Sequence, residues 1–452
     1  MHTLADRTRG PVCVPGTDGY DEERIGFQRL AAHRPAVIVG ATGEQDVRAA
    51  VEFAAVHGAR VAVQASGHGL STAMEGGVLI CTSRMSRVRV DPQARTAWIE
   101  AGASWRQVIE AAAPYGLAPL SGSSPGVGAV SYTLGGGVGL LARRYGFAAD
   151  HVRRIDLVTA DGRLRRVTVA DPDLFWALRG GGGNFGVVTG MEIHLMPVAQ
   201  IYGGGLYFDV EQVPEVLDAW RRWTAAVPEE MTSAVAMLPF PDLPMVPASL
   251  RGRHVAQIQV SYLGSAEEGQ QLVEPLRALG PRLRDTLREA PYTESGTVFD
   301  EPDQPHAYRS QNRLLRELDP QALATLTKLA GPSAPVICVV GLRHLGGALA
   351  RPPQTASAVG HREAAYSLNI LSPVEPDGEE TVRAVHRDAV APFAGQAIGR
   401  SLNFSYGPLD EDQVRAAFAP EDYRRLTELK ARHDPHVLFH CNHAIPPLTG
   451  ED

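Results

Sequence analysis

Three glycine-rich loops crowd into about 120 residues of this chain: Ala65-Ser66-Gly67-His68-Gly69, the stretch from Gly122 to Gly139, and Gly180 to Gly186. Glycine accepts positive φ and lets the backbone come close to a ligand, and successive free N–H groups form a concave nest for phosphate. One such loop is no more than a turn. Three together, each beside a predicted strand, point to a large phosphate-bearing cofactor, with tight turns alone as the plain alternative. His68 stands out because glycine on both sides leaves its ring free to point into whatever the loop surrounds, although a lone histidine also serves as an ordinary hydrogen-bonded residue.

The chain around the loops reads as small β/α units. Strands are predicted at Ala36 to Val39, Val61 to Val63, Val78 to Cys81, Val88 to Val90 and Thr96 to Ile99, with helices at Glu44 to His57, capped by Thr42, and at Trp105 to Ala113. Asp150 to Val169 reads as two strands joined at Asp161-Gly162. A helix at Leu174 to Leu178 and a strand at Val187 to Leu195 close this region. From about 200 to 400 the glycine clusters vanish. Longer strands at 204–208, 233–238, 255–263, 336–343 and 364–371 alternate with helices at 213–226, 266–279, 320–330 and 379–390, which suits one antiparallel sheet covered on a single face. The last fifty residues add a strand at Ser401 to Tyr406 and a helix at Pro420 to Arg432. The fold class is therefore α+β.

Composition narrows the function. With 452 residues, 44% hydrophobic and 21% charged, the chain is ordinary globular protein. Forty-three basic against 51 acidic side chains, a net charge of −8, argue against nucleic acid as a partner. The cysteines Cys13, Cys81, Cys338 and Cys441 show no metal or disulfide spacing. The first residues lack the apolar stretch of a signal peptide, and no run of about 18 apolar residues could span a bilayer. A cytoplasmic location is expected.

Two enzyme motifs match only in form. Gly122-Ser123-Ser124-Pro125-Gly126 fits the G-x-S-x-G elbow of hydrolases, but the residue after the serine must lend its N–H to an oxyanion, and Pro125 has none. Gly137-Val138-Gly139-Leu140-Leu141-Ala142 fits a dinucleotide fingerprint, but it lacks the strand before it, and Asp156 falls inside a strand instead of at its end. A nicotinamide-dependent dehydrogenase stays as an alternative. His436, His440, Cys441 and His443 follow no recognised metal-ligand spacing, so no metal is expected.

The segments 61–69, Gly128 with 134–139, 145–150 and 173–189 resemble the berberine bridge enzyme-like branch of the vanillyl-alcohol oxidase flavoproteins. Leu402-Asn403-Phe404 and Asn442-His443-Ala444-Ile445-Pro446-Pro447 are similar to that branch's closing motifs. The resemblance implies a two-part PCMH-type FAD-binding domain at 1–199, a substrate domain at 200–400 whose sheet roofs the isoalloxazine ring, and a segment at 401–452 returning to the FAD domain. It implies FAD contacts at Ala65, Ser66, Gly67, His68, Gly69, Ser124, Gly128, Gly135, Gly136, Gly139, Gly186, Val188, Asn403 and Asn442, and an 8α bond from His68 to the flavin. The implied reaction is hydride transfer from a C–H bond of a small secondary-metabolite alcohol, sugar or amine to flavin N5, with O2 as electron acceptor.

Three departures from the family pattern matter. Ser124 stands where many relatives carry a cysteine that adds a second tether, and a hydroxyl is a far weaker nucleophile than a thiolate, so a single covalent link is expected. Ser401 replaces the tyrosine base of the Tyr-x-Asn-Phe motif, and Gly341 stands where amine oxidisers place a glutamate. Proton handling is left to His344, His361, Tyr366 or Tyr406. The missing groups also keep open a flavoprotein with a non-redox or cyclase-like role.

Overall fold

The structure is a computed structural model and describes residues 2–449. Its first 200 residues build two sheets. In a four-stranded sheet, Val37–Gly40, Val78–Cys81 and Val61–Gln64 run parallel in that spatial order, and Val12–Cys13 adds an antiparallel edge. Every residue of Val37–Gly40 and Val78–Cys81 is buried, the continuous apolar pattern of a parallel strand covered on both faces. Helix Glu44–Val56 packs Val47, Ala50, Val51 and Ala54 against this sheet.

The second sheet is five-stranded and antiparallel, in the order Val88–Asp91, Thr96–Glu100, Val187–His194, Val152–Val158, Leu164–Val167. Helix Trp105–Ala112 starts at a capping box in which Ser104 and Gln107 satisfy each other's backbone N–H groups, and it buries Trp105, Val108 and Ile109 in the core of this region.

The third sheet has nine strands, all pairings antiparallel. Its centre runs Gln200–Asp209, His254–Tyr262, Met231–Pro239, Val339–His344, Tyr366–Pro373, Tyr308–Leu315. Helices Val216–Thr224, Ala266–Arg277, Pro320–Leu329 and Glu379–Val390 cover one face, where Trp220, Val273, Leu326 and Ala389 meet Ile258, Val340, Leu342, Leu368 and Ile370. Side chains alternate across a strand, so Val339, Gly341 and Arg343 face the other way, toward the glycine-rich loops. This is the α+β fold with a one-sided antiparallel sheet that the sequence pattern predicts.

The two halves are joined by Arg143, at the end of the second glycine loop. It donates from Nε to the Met231 carbonyl at 2.9 Å and sits with its guanidinium 2.8 Å from His344 Nε2. Residues near the C-terminus close the first sheet. Val61 donates to Leu438 and accepts from His440, while helix Pro420–His433 packs on Pro172–Ala177. Among the described residues, no helix is long and apolar enough to cross a membrane.

Two local expectations need correction, and one strand is new. Residues 401–406 form a short 3-10 turn, Leu402–Phe404, instead of a strand, because side chains take up the backbone: Asn312 Oδ1 accepts from Ser401 N–H and Ser310 Oγ from Tyr406 N–H. Thr42 does not cap the first helix. Gly43 is the cap residue, and Thr42 donates through both N–H and Oγ1 to Asp46. Tyr308–Leu315, whose sequence YRSQNRLL is too polar to read as a strand, lies inside the largest sheet.

Candidate active site

Between the glycine loops and the uncovered face of the nine-stranded sheet lies a cavity of about 850 Å3. This is within the size range of cofactor and substrate sites. One wall is made by Ala65 to Gly69, Ser123, Ser124 and Gly180 to Asn184, the other by Ala234, Ala236, Gln257, Gln259, Gly341, Arg343 and Asn369.

The first loop follows strand Val61–Gln64, and Gly67 takes it through φ +74. Gly67 packs on Gly26, where a Cβ would come within 2.5 Å of the Gly26 Cα, so a side chain there is excluded. His68 lies flat against Phe27, ring centroids 3.8 Å apart and 11° from parallel. Its Nδ1 is 2.9 Å from Ser66 Oγ, which also accepts from Gly128 N–H at 3.3 Å and so ties the first loop to the second. With Nδ1 bonded to Ser66 Oγ, Nε2 is the ring nitrogen that makes no hydrogen bond. Burial, with His306 close by, lowers the imidazole pKa to about 4, so at neutral pH the ring is uncharged and keeps its nucleophilic lone pair. The Tyr308 phenol donates to the His68 carbonyl at 2.6 Å, fastening the loop to the sheet.

The other wall is polar where it nears the loops. Tyr406 lies edge-on to Tyr308, centroids 5.1 Å apart. Burial and the nearby Glu301 carboxylate push the Tyr406 phenol up to about 12, against the opposing pull of Arg343. Gln257 donates to the Tyr207 hydroxyl at 2.9 Å, whereas Gln259 Oε1 is buried with no partner. Asn403 reaches in beside Gly135 and donates to the Tyr132 carbonyl at 2.9 Å. A Cβ on Gly135 would meet its Oδ1 at 2.0 Å.

The loops fit FAD on their own geometry. A Cβ at Gly69 or Gly183 would meet nothing within 4 Å, so the backbone there borders open space. Val63, in an otherwise buried strand, is 44% exposed on that space. An apolar strand residue beside bare backbone N–H groups and a neutral imidazole is the lining expected for a flat aromatic group carrying phosphates.

Of the residues assigned to FAD, Ala65, Ser66, Gly67, His68, Gly69, Ser124, Gly135, Gly186, Val188, Asn403 and Asn442 line the cavity. Gly128, Gly136 and Gly139 are not on its wall. Gly139 is there for packing, since a Cβ would lie 1.8 Å from the Ser121 carbonyl oxygen, and Gly136 packs against Val359 and Phe147 at φ +104. Gly128 serves through its N–H to Ser66.

Of the four proton-handling candidates, Tyr406 alone lines this cavity. His344 alternates with Arg343 and so faces the helices, where Arg143 holds its Nε2. Burial and Arg143 lower its pKa to about 3. Tyr366 is on the same side, its hydroxyl 2.7 Å from Thr224 Oγ1. His361 sits at φ +54 outside the sheet with Nε2 3.0 Å from the Ala416 carbonyl. Sequence reasoning missed Tyr308, whose strand was unread, and Gln257, Gln259, Arg343 and Asn369, which the alternation of recognised strands could have supplied.

Residues 35–168 match a family model described as an FAD binding domain. The chain is 26% identical over 454 residues to the FAD-linked oxidoreductase YgaK of Bacillus subtilis (strain 168), covering 97% of each. It is 26% identical over 475 residues to berberine bridge enzyme-like 7 of Arabidopsis thaliana, covering 93% of this chain and 85% of that one. The chain is an FAD-dependent oxidoreductase, and it resembles the berberine bridge enzyme-like proteins. The oxidoreductase also shares its fold with 6-hydroxy-D-nicotine oxidase from Arthrobacter nicotinovorans, at a TM-score of 0.84 and 24% identity over 98% of both chains. The FAD binding domain matched over residues 35–168 speaks against the nicotinamide alternative.

Proposed function

We propose that this chain is an oxidase acting on a small organic molecule, with FAD held by a single 8α bond to His68 and dioxygen as electron acceptor. The observation that carries this reading is the neutral His68 imidazole, with Nε2 left over by the Ser66 contact, at a cavity shared by the glycine loops and the open sheet face. When bound, FAD supplies the two-electron acceptor for a hydride leaving a substrate C–H bond and passes the electrons to O2, giving hydrogen peroxide. The first and third loops and Asn403 would hold it, and Ser124, having no thiolate, adds no second tether.

The chain's own work is to seat the substrate and manage its O–H or N–H proton. Tyr406 is the group placed for this, a phenol in the cavity wall that is protonated at neutral pH and becomes a base only as the medium turns alkaline. Gln257 and Gln259 offer amide contacts to polar substituents from the neighbouring strand. An alcohol, sugar or amine of secondary metabolism remains the substrate class. The test is direct: purified protein is yellow, the colour stays with the polypeptide after acid precipitation, and a turned-over substrate bleaches it without air. Colour that leaves with the acid supernatant would refute the covalent link, and colour that no compound in a broad library bleaches would favour the non-redox reading.

A further inference from the structure

Arg343 is a cation under-used by its own protein. It is 17% exposed on the cavity face of strand Val339–His344, and its guanidinium lies between the rings of Phe299, at 4.5 Å, and Phe404, at 4.9 Å. A guanidinium carries five N–H donors. Here a single hydrogen bond is made, from Nη2 to Ser123 Oγ at 3.1 Å. The nearest carboxylate, Glu301, stands off at 3.8 Å, beyond hydrogen-bond reach, and is itself 39% exposed. The cavity's other arginine, Arg284, lies instead over the Tyr207 ring at 5.5 Å. A largely buried guanidinium with most donors unspent is the arrangement that a carboxylate completes, because two parallel N–H···O bonds match its planar fork.

The wall beyond Arg343 changes character. Along the same strand face come Gly341, whose missing side chain leaves a gap with no atom nearer than 4.0 Å to a built Cβ, and then Val339, with Leu238 and Leu371 on neighbouring strands and Phe240 just past one of them. Arg343 and Val339 are four residues apart, about 13 Å on an extended strand. The site therefore offers a cationic inner end, a central gap and an apolar outer end.

Resting on the oxidase reading above, we infer that the substrate is an amphipathic organic anion, its carboxylate anchored by Arg343 and its apolar body lying outward over Gly341 and Val339. Arg343 sets specificity in this scheme and takes no proton. A neutral oligosaccharide would bring the guanidinium no carboxylate and lay hydroxyl groups on an aliphatic wall.

The test uses the flavin-loaded protein and three probes, 4-phenylbutyrate, its neutral amide 4-phenylbutyramide, and acetate, with binding read from perturbation of the visible spectrum and from thermal shift. The carboxylate should bind at least tenfold tighter than the amide, and acetate more weakly than 4-phenylbutyrate. Arg343→Gln should erase the preference for the acid, Arg343→Lys should keep part of it, and Glu301→Gln, which removes the competing carboxylate, should strengthen acid binding. Equal affinity for acid and amide in the unaltered protein overturns the inference, as does a preference that survives Arg343→Gln. Acetate binding as tightly as 4-phenylbutyrate overturns the apolar seat. These outcomes stand apart from the oxidase reading: a yellow protein that is bleached by some substrate yet ignores charge in the probes would lose the anion anchor alone.

Discussion

At the scale of single residues, position 68 has the most at stake. Its imidazole is uncharged, packed on Phe27 and steered by Ser66. His68→Ala is expected to release the flavin into the supernatant on acid precipitation, whereas Ser124→Ala should leave both colour and retention unchanged. Loss of bound flavin in the serine variant would show that the second loop has been assigned wrongly. Tyr406 gives a second prediction. With its phenol held at about 12, the ionised fraction grows tenfold for each pH unit below that value. The rate of anaerobic flavin bleaching should therefore climb toward alkaline pH with a slope near one on a logarithmic scale. Tyr406→Phe should be slower and should lose the slope. A mutant that keeps the alkaline rise would move the proton to another group.

At the scale of elements, the buried pair at the C-terminal end of helix Pro420–His433 supports the third glycine loop from behind. Lys430 and Asp434 are each 1% exposed and 2.6 Å apart. The ammonium also donates to the Asn184 carbonyl at 2.8 Å, and the carboxylate accepts from the N–H groups of Leu438 and Phe439. Asp434→Ala leaves a buried cation unpaired and two N–H groups unmet, and should cost about 3–5 kcal/mol in urea unfolding. Most elements of this kind were readable in advance. Strands such as Val78–Cys81 announce themselves by unbroken apolar runs, and the helices by apolar residues three and four apart. Tyr308–Leu315 escaped because Arg309, Gln311 and Arg313 on one face and Ser310 and Asn312 on the other leave it no apolar period, and it is held in the sheet by partners that only the tertiary structure supplies. The glycine loops marked out one wall of the cavity, since their composition follows from backbone geometry. The substrate wall stayed hidden because which face of a strand looks into the cavity depends on where the helices pack, and for that reason His344 and Tyr366 were assigned to the wrong side.

At the scale of the whole molecule, the cavity exists because two separately cored halves are held face to face. Arg143 does much of this holding, through the Met231 and Leu345 carbonyls and His344. Burial lowers its pKa but leaves it a cation at neutral pH. Arg143→Met preserves bulk yet strands those acceptors, and should lower stability by about 3 kcal/mol in the same unfolding assay. A loss under 1 kcal/mol would mean that packing alone joins the halves. The join between distant parts of the chain also bears on how the protein comes into being. Ser71 N–H donates to Asn442 Oδ1, 371 residues further on, and Val61 finds its outer neighbour in Leu438 and His440. A nascent polypeptide leaving the ribosome thus lacks one side of its first glycine loop until Asn442 has emerged. Cofactor capture is expected to wait for that segment, and a message truncated ahead of Leu438 should yield colourless protein however much riboflavin the cell is fed.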